Sequence, residues 1–532
     1  MADLTRSFRI TSVLSRAGWL ALMILVPCSI ASAQGASDLE LLLQELKQQY
    51  AQTTEDLRQR ITALERQLEQ QKQAAVEAKN ATEAAAKAAA GEAVQKALFG
   101  DSQTVGAQFQ GKLPSRPTYD LLQEAETAIA ELQQRAGLFE FHGYFRSGYG
   151  LNSRGGQQVA FQAPGAGAKY RLGNEAETYG EFILVNNWLN PERSTDKAWF
   201  HTEVMLEANT SNSASYSNLN IPGNDQFRLR EAFVRGGNLF GSQPDVKFWA
   251  GERYYRRQHV EINDFYPLDM SGYGGGVEDV NFGFGKMAVG YIAGARPDVA
   301  TQNGNYIKNN VDVRLYDLKG PAGVWAGWFD YADSQGGTTS TGAIIPTSNG
   351  YATGIRYQRL NWHGGFQTIG VQYGTGAASN FSASIDDPTA FIDSTKRFLI
   401  TGQMLFQPND TFAIMPIAIY QRTRDGNPTN GWDQWISFGA RPEVFFTRFL
   451  SLAVEGGVDR TRSDTGQYEG WLRKLTIAPQ IGAGRQFFSR PVLRGFATYA
   501  NWSEGLRGFV GGTPFRNRRN GLTYGVQLET WW

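Results

Sequence analysis

The chain of 532 residues has a single cysteine, Cys28, and it lies inside an apolar N-terminal segment. A mature protein cleaved after that segment has no cysteine and no disulfide framework. Charge of either sign is not in excess: 51 Lys+Arg meet 51 Asp+Glu, which removes the electrostatic argument for a nucleic-acid partner. Histidine is scarce. His142, His201, His259 and His363 show no metal-ligand spacing, so no metal and no cofactor are expected. There is no nucleophile elbow and no phosphate-binding loop, although a scattered nucleophile–base pair stays open. Long apolar runs are also missing after Leu138, so no helical membrane span is expected there. The mean hydropathy of −0.38 looks soluble, but a membrane barrel looks the same, because only alternate strand residues meet lipid.

What is present divides the chain into three parts. Residues 1–33 read as a secretory signal: Arg6, Arg9 and Arg16 precede an apolar core at 19–26, and Ala31-Ser32-Ala33 is an A-x-A cleavage site. An uncleaved anchor is the alternative. Residues 34–136 read as a helical region. Leu39, Leu43, Leu46, Tyr50, Thr53, Leu57, Ile61, Leu64 and Leu68 recur by threes and fours, an a/d seam with one stutter. Beyond Ala74 the seam thins to alanine, which buries little area. A coiled coil over 38–90 is expected, with a single charged helix as the alternative. Glycines and prolines at 91–117 mark a linker. A second helix is expected over 118–135, with Leu122, Ala125, Ile129 and Leu132 on one face and Gly137 after it.

From 137 to 532 the texture is that of strands. In 139–150, Phe139, Phe141, Phe145 and Tyr149 share one parity, and His142, Tyr144 and Arg146 share the other. Strand-like segments recur at 181–187, 199–208, 246–255, 311–318, 323–331, 398–406, 412–422, 449–458, 475–484 and 492–502, separated by turn residues. The last strand, 522–532, puts Leu522, Tyr524, Val526, Leu528 and Trp532 on one face, and Thr523, Gln527, Glu529 and Trp531 on the other. At roughly 20–25 residues per strand with its share of loop, this part allows about sixteen to eighteen strands. The expected fold is an all-β transmembrane barrel of antiparallel strands, preceded by an α-helical coiled-coil region. Sixteen or more strands leave an aqueous bore.

The blocks Phe141 to Gly148 and Lys169 to Tyr179 resemble the start of mature maltoporins. The resemblance recurs at 248–269 and 489–501 and covers 139–532. It implies a homotrimer of eighteen-stranded barrels in the outer membrane, in contact with lipid, that passes sugars along aromatics flanked by ionic groups. Carried over residue by residue, Tyr144, Tyr179, Phe488 and Trp531 match the aromatic track. Arg146, Arg171, Arg230 and Arg257 match its basic side, and Glu181 and Asp264 its acidic side. Tyr266 matches the aromatic that narrows the throat, with Asp269 just beyond. The chemistry is coherent: flat rings suit the C–H faces of a pyranose, and ionic groups suit its hydroxyl rim.

There are departures. Phe488 stands where the family more typically has tryptophan. Gln258 and His259 stand where histidine and aspartate are common, which leaves the preferred sugar open. Ala160 and Ala176 stand where relatives often bridge an early loop with a disulfide, so that loop needs another fastening. The long N-terminal region resembles the sucrose-porin branch and implies a periplasmic position, with contact to peptidoglycan or another periplasmic partner. Trp325, Trp328, Trp362 and Trp471 read as lipid girdle or loop packing. Other readings remain: Tyr144 and Tyr179 as interfacial girdle residues, the ionic set as a wall-stiffening network, a non-specific or anion-selective porin, or a tether or adhesin that uses the coil.

Overall fold

The structure, a computed structural model, describes residues 139–532 apart from 176, 190–197, 211–224, 302–303, 340–341, 343, 385–392 and 428. The expected signal segment, coiled coil, linker and second helix all lie outside the described residues, as does Ala176.

Eighteen antiparallel strands close into a barrel. They are Phe139–Asn152, Thr178–Leu189, Trp199–Thr210, Asp225–Gly237, Lys247–Arg253, Gly272–Asn281, Lys286–Thr301, Gly304–Gly320, Gly323–Ser334, Ser348–Trp362, Gly365–Thr375, Lys396–Asn409, Phe412–Arg424, Asp433–Phe445, Leu450–Arg462, Glu469–Gly482, Val492–Trp502 and Asn520–Trp531. Each pairs with its successor, and the last pairs with the first from Tyr144↔Trp531 to Asn152↔Thr523. Closure gives every strand a neighbour on both sides, which is how a sheet satisfies its backbone polar groups within a membrane. Two short strands, Gly337–Thr339 and Ile344–Ile345, extend the sheet within one loop.

Alternation decides which side chains face out. Phe139, Phe141 and Tyr149 are exposed on the first strand, while Arg146 is buried. On the last strand Leu522, Tyr524, Val526 and Leu528 are exposed and Gln527 and Glu529 are buried. In a water-soluble protein this pattern would be inverted; here the apolar side is the outer one and meets lipid. Trp325 and Trp471 face outward as expected, and Trp362 packs in a turn against His363 and Phe406. Trp328 does not: its parity turns it inward, where it is 5% exposed.

Most connections at one end are short (282–285, 321–322, 363–364, 410–411, 446–449), and the longest ones (153–177, 254–271, 376–395, 503–519) all lie at the other. Long loops mark the extracellular end of such barrels. Two of them fold inward. Loop 254–271 carries a small two-stranded sheet, Gln258–Val260 with Phe265–Leu268, around a 3-10 turn at Glu261–Asn263. Inward side chains of the wall hold it. Gln403 donates to the His259 carbonyl at 2.6 Å and accepts from the Glu261 N–H at 3.0 Å, and Gln372 donates to the Pro267 carbonyl.

Loop 153–177 is held by strands further along the same sheet. Lys474 donates to the carbonyls of Tyr170 and Leu172 at 2.8 and 2.7 Å and to Glu455 at 2.9 Å. The Tyr170 hydroxyl meets Ser437 at 2.9 Å. Its ring lies over Gly439 and Gly457, which pair in register, and a Cβ at either would overlap the ring. Within the loop, Asn174 accepts from the Phe161 N–H at 2.8 Å and donates to the carbonyls of Phe161 and Tyr170 at 3.0 Å each. That buried amide is a fastening that needs no disulfide. The two loops touch where the Arg171 N–H donates to the Ile262 carbonyl at 3.0 Å.

Candidate functional site

Three aromatic rings gather on the inner wall where the barrel closes. Register puts Tyr144 opposite Trp531 on one side and opposite Glu181 on the other, all on the inward parity. Tyr144 and Trp531 lie stacked with centroids 6.4 Å apart and 25° between planes, and Tyr144 meets Tyr179 at 6.1 Å. Offset rings at such spacings give a shallow apolar strip rather than a closed pocket.

Ionic groups flank the strip. Arg146 pairs with Glu175 at 3.1 Å and Glu177 at 2.5 Å, reaches Asp264 at 3.9 Å, and lies 5.1 Å over the Tyr179 ring. Arg171 donates to the Tyr144 hydroxyl at 3.0 Å and pairs with Glu175 at 3.3 Å and Glu529 at 3.6 Å. Tyr144 in turn donates to Glu529 at 3.0 Å, and Tyr179 to Glu181 at 2.7 Å. Arg490 and Arg494 complete the shell of Glu529 at 2.8 and 2.9 Å, and Arg490 covers the Trp531 ring at 4.3 Å. Nearly every charge has an opposite partner, so the wall carries strong local fields without a large net charge. Glu175 is held below the usual carboxylate range: burial opposes this, and Arg146, Arg171 and Lys169 outweigh it.

Loop 254–271 supplies the opposing face. His259 donates or accepts at 2.8 Å from Glu261 and 3.1 Å from Asp264, and its ring stacks on Tyr266 at 4.6 Å. Burial disfavours the imidazolium, but Glu261 and Asp264 outweigh it and raise His259 above its ordinary value. Asp264 is pushed well below its own: burial opposes, while Arg171, His259 and Arg146 prevail. The Asp264 backbone is left-handed at φ 52°, which turns the loop back toward Phe265. The guanidinium of Arg257 is clamped between two rings, 3.6 Å from the Tyr254 centroid and 4.5 Å from that of Tyr266, and forms no ion pair among the described residues. Its N–H groups are thereby positioned without being consumed, a suitable state for a donor to passing hydroxyls.

Of the residues singled out from sequence, Tyr144, Arg146, Arg171, Tyr179, Glu181 and Trp531 come together on one wall, with Asp264, Tyr266 and Arg257 facing them from the loop. Arg230 sits at a strand irregularity and pairs with the buried Glu207. Phe488 is taken into the hydrophobic packing of the interior. It is 1% exposed, set edge-on against Phe487 at 5.0 Å, and presents no ring face to the bore. The smaller ring that replaces a tryptophan there is absorbed into packing. Sequence reasoning passed over Tyr254, which packs with Ile183, Val185 and Met205 and holds Arg257. Its position in the pair Tyr254-Tyr255 just before Arg256-Arg257 was the available signal. Reasoning from sequence also passed over Trp435, whose indole donates to Asp459 at 2.9 Å and takes Phe265 edge-on at 5.2 Å. Among the described residues no group of His, Cys, Asp and Glu is arranged to hold a metal.

Solved structures similar to this chain include OccAB2 of Acinetobacter baumannii, at 11% identity and TM-score 0.40, covering 74% of this chain and 98% of that one. A BenF-like porin from Pseudomonas fluorescens Pf-5 matches at 10% identity and TM-score 0.42, covering 74% and 100%. OmpF of Salmonella typhi in complex with daunomycin matches at 9% identity and TM-score 0.38, covering 74% and 97%. Likeness that loose carries nothing about what passes through this bore. The family comparison is stronger: the LamB porin model matches residues 139–532, the whole barrel with its inward loops. The chain belongs to the LamB porin family and is an outer-membrane channel rather than an enzyme.

Proposed function

We propose that the channel passes sugars selectively by facilitated diffusion, with oligosaccharides of the maltodextrin or sucrose type as substrates. The observation that carries this reading is the strip of Tyr144, Tyr179 and Trp531 edged by Arg146, Arg171 and Glu181 and faced by Tyr266 and Arg257. A non-specific porin has no need for stacked rings beside ordered guanidinium groups. A sugar can slide its C–H face along the rings while exchanging hydroxyl partners with the ionic edges, so no single site holds it long. A millimolar site needs only about 4 kcal/mol, within reach of a few rings and charge-assisted hydrogen bonds.

The barrel works as a homotrimer in this reading, with lipid around its outer face. The N-terminal seam forms a periplasmic coiled coil over 38–90 that touches peptidoglycan or another periplasmic partner. That part of the proposal rests on the heptad spacing alone. Liposome swelling tests the sugar reading: influx of a maltose series or sucrose faster than that of an inert polyol of equal size is expected. Rates that follow size alone would return the chain to the non-specific reading. Deleting 38–136 separates the tether reading, because a porin keeps its flux without the coil.

A further inference from the structure

The outer surface of the barrel is uneven in charge at the long-loop end. On the seven adjacent strands from Lys396–Asn409 to Asn520–Trp531, the lipid-facing parity carries Lys396, Arg422, Arg424, Arg460, Arg462 and Arg473. Register places them side by side. Lys396 pairs with Arg424, Arg422 with Gln434, Gln434 with Arg462, Ile436 with Arg460, and Val458 with Arg473. Cross-strand partners share a face, so these cations form one belt. Among the described residues of these strands, Glu469 is the carboxylate on that face, bonded to Arg460 at 2.8 Å. Asp433 lies on the inward parity, and Asp425 and Asp464 belong to the loops above. Directly below the belt the same face turns apolar, with Phe438, Leu475, Ile477 and Tyr499 about half exposed.

The neighbouring arc differs. At the same level on Gly304–Gly320, Gly323–Ser334, Ser348–Trp362 and Gly365–Thr375, the outward residues include Asn309, Tyr331, Asp333, Asn349, Tyr351, Tyr373 and Thr375. The apolar band continues beneath them, through Phe329, Ile355 and Ile369. Among the described residues of these two arcs, the cations at this level lie in one, while the lipid contact is common to both. Placing like charges on adjacent strands costs repulsion unless something anionic lies against them. Interfacial tryptophan adds to the belt, with Arg422 4.8 Å over the Trp432 ring.

We infer that this belt is a binding surface for phosphate-bearing acylated glycolipid in the outer leaflet. Its acyl chains would lie along the apolar band, and its phosphates would sit among Arg460, Arg462, Arg473 and their neighbours. Guanidinium groups suit that role because they grip phosphate oxygens in bidentate fashion. Arg460 and Arg473 are already oriented by Gln434 at 3.2 Å and Asn501 at 3.5 Å. The lipid is recognised by two features at once, charge at the rim and hydrocarbon below it, which a soluble phosphate does not combine.

The test uses the full-length protein in neutral detergent, titrated with a bis-phosphorylated acylated disaccharide lipid and with the same lipid stripped of phosphate, read by native mass spectrometry. The variants are Arg460→Gln/Arg462→Gln/Arg473→Gln and the charge-keeping Arg460→Lys/Arg462→Lys/Arg473→Lys. Each cation near an anionic headgroup is worth roughly fivefold in affinity, so the glutamine triple is expected to bind about a hundredfold more weakly. The lysine triple should stay within about tenfold of the parent, and the dephosphorylated lipid should bind the parent as weakly as the phosphorylated lipid binds the glutamine triple. If the glutamine triple fails to form a barrel, Lys396→Gln/Arg422→Gln reads the other end of the belt with a loss of about twentyfold expected. Equal affinity in the variants, indifference to the phosphates, or equal competition by inorganic pyrophosphate overturns the inference. So does a glutamine triple whose assembly falls apart while lipid retention is unchanged, because the belt would then hold another copy of the chain.

Discussion

Lys474→Met tests the inward seating of loop 153–177. The side chain comes from the wall strand Glu469–Gly482 and is buried. It is one of the points where the wall takes hold of the loop backbone, through Tyr170 and Leu172. Methionine keeps the stem volume and removes the donors. Glu455 retains Arg441 at 2.6 Å and the Leu172 N–H at 3.0 Å, so it is not stranded. The Leu172 carbonyl retains Thr476 at 3.0 Å, but the Tyr170 carbonyl loses the lysine. Truncating a buried ionic partner costs about 3–5 kcal/mol, and the surviving bonds to Glu455 place this change at the lower end, about 3 kcal/mol. That shifts the docked-to-undocked ratio of the loop by roughly a hundredfold. The barrel itself keeps all its ladder bonds, so folding read by heat-modifiable migration should be preserved. Single-channel recording should then show brief openings to a higher conductance that the parent lacks. A folded Lys474→Met channel with the parent's conductance and noise would show that the loop does not set the width of the bore.

Further outcomes follow from the throat. Tyr266→Ala removes the ring stacked on His259 and one of the plates holding Arg257, and should raise ion conductance; an unchanged value in planar bilayers would remove Tyr266 from the narrowest point. Gly457→Val places two methyl groups where the Tyr170 ring lies and should reproduce the noisy phenotype of Lys474→Met, whereas a quiet channel would mean that the ring has another resting place. His259 has its folded-state value raised, so its tether to Glu261 and Asp264 is fully present below the ordinary value of about 6.5 and is lost as pH rises through the raised one. Current noise should therefore grow on the alkaline side and stay flat under mild acid. His259→Asn should show no such pH profile, and retention of the parent's profile in that variant would assign it elsewhere.

Sequence reasoning reached the barrel because alternation survives at its two ends. Phe139 through Tyr149 and Leu522 through Trp532 keep strict parity, and these strands pair to close the sheet. Strands such as Gly272–Asn281 and Lys286–Thr301 were not legible, because glycines interrupt the apolar parity and a period-two pattern dissolves without side chains. The wall of the site was legible for the same reason as the first strand: Tyr144, Arg146 and Trp531 are fixed by parity alone. The throat was visible only through family resemblance, since no periodicity survives in a loop that turns at Asp264. Trp328 and Phe488 show the other limit. Both are aromatic residues whose placement depends on what packs over them, and packing between distant segments leaves no mark on local sequence. The docking of Tyr170 over Gly439 and Gly457, far apart in the chain, is of the same kind.

The most direct test is block of single-channel current by neutral sugars. The parent channel should be blocked reversibly by maltodextrins or sucrose at concentrations near the millimolar range. Tyr144→Ala and Trp531→Ala should each weaken that block several-fold, in line with about 0.5–1.5 kcal/mol per stacked ring. A current that no neutral sugar interrupts, or a block indifferent to both rings, would contradict the account.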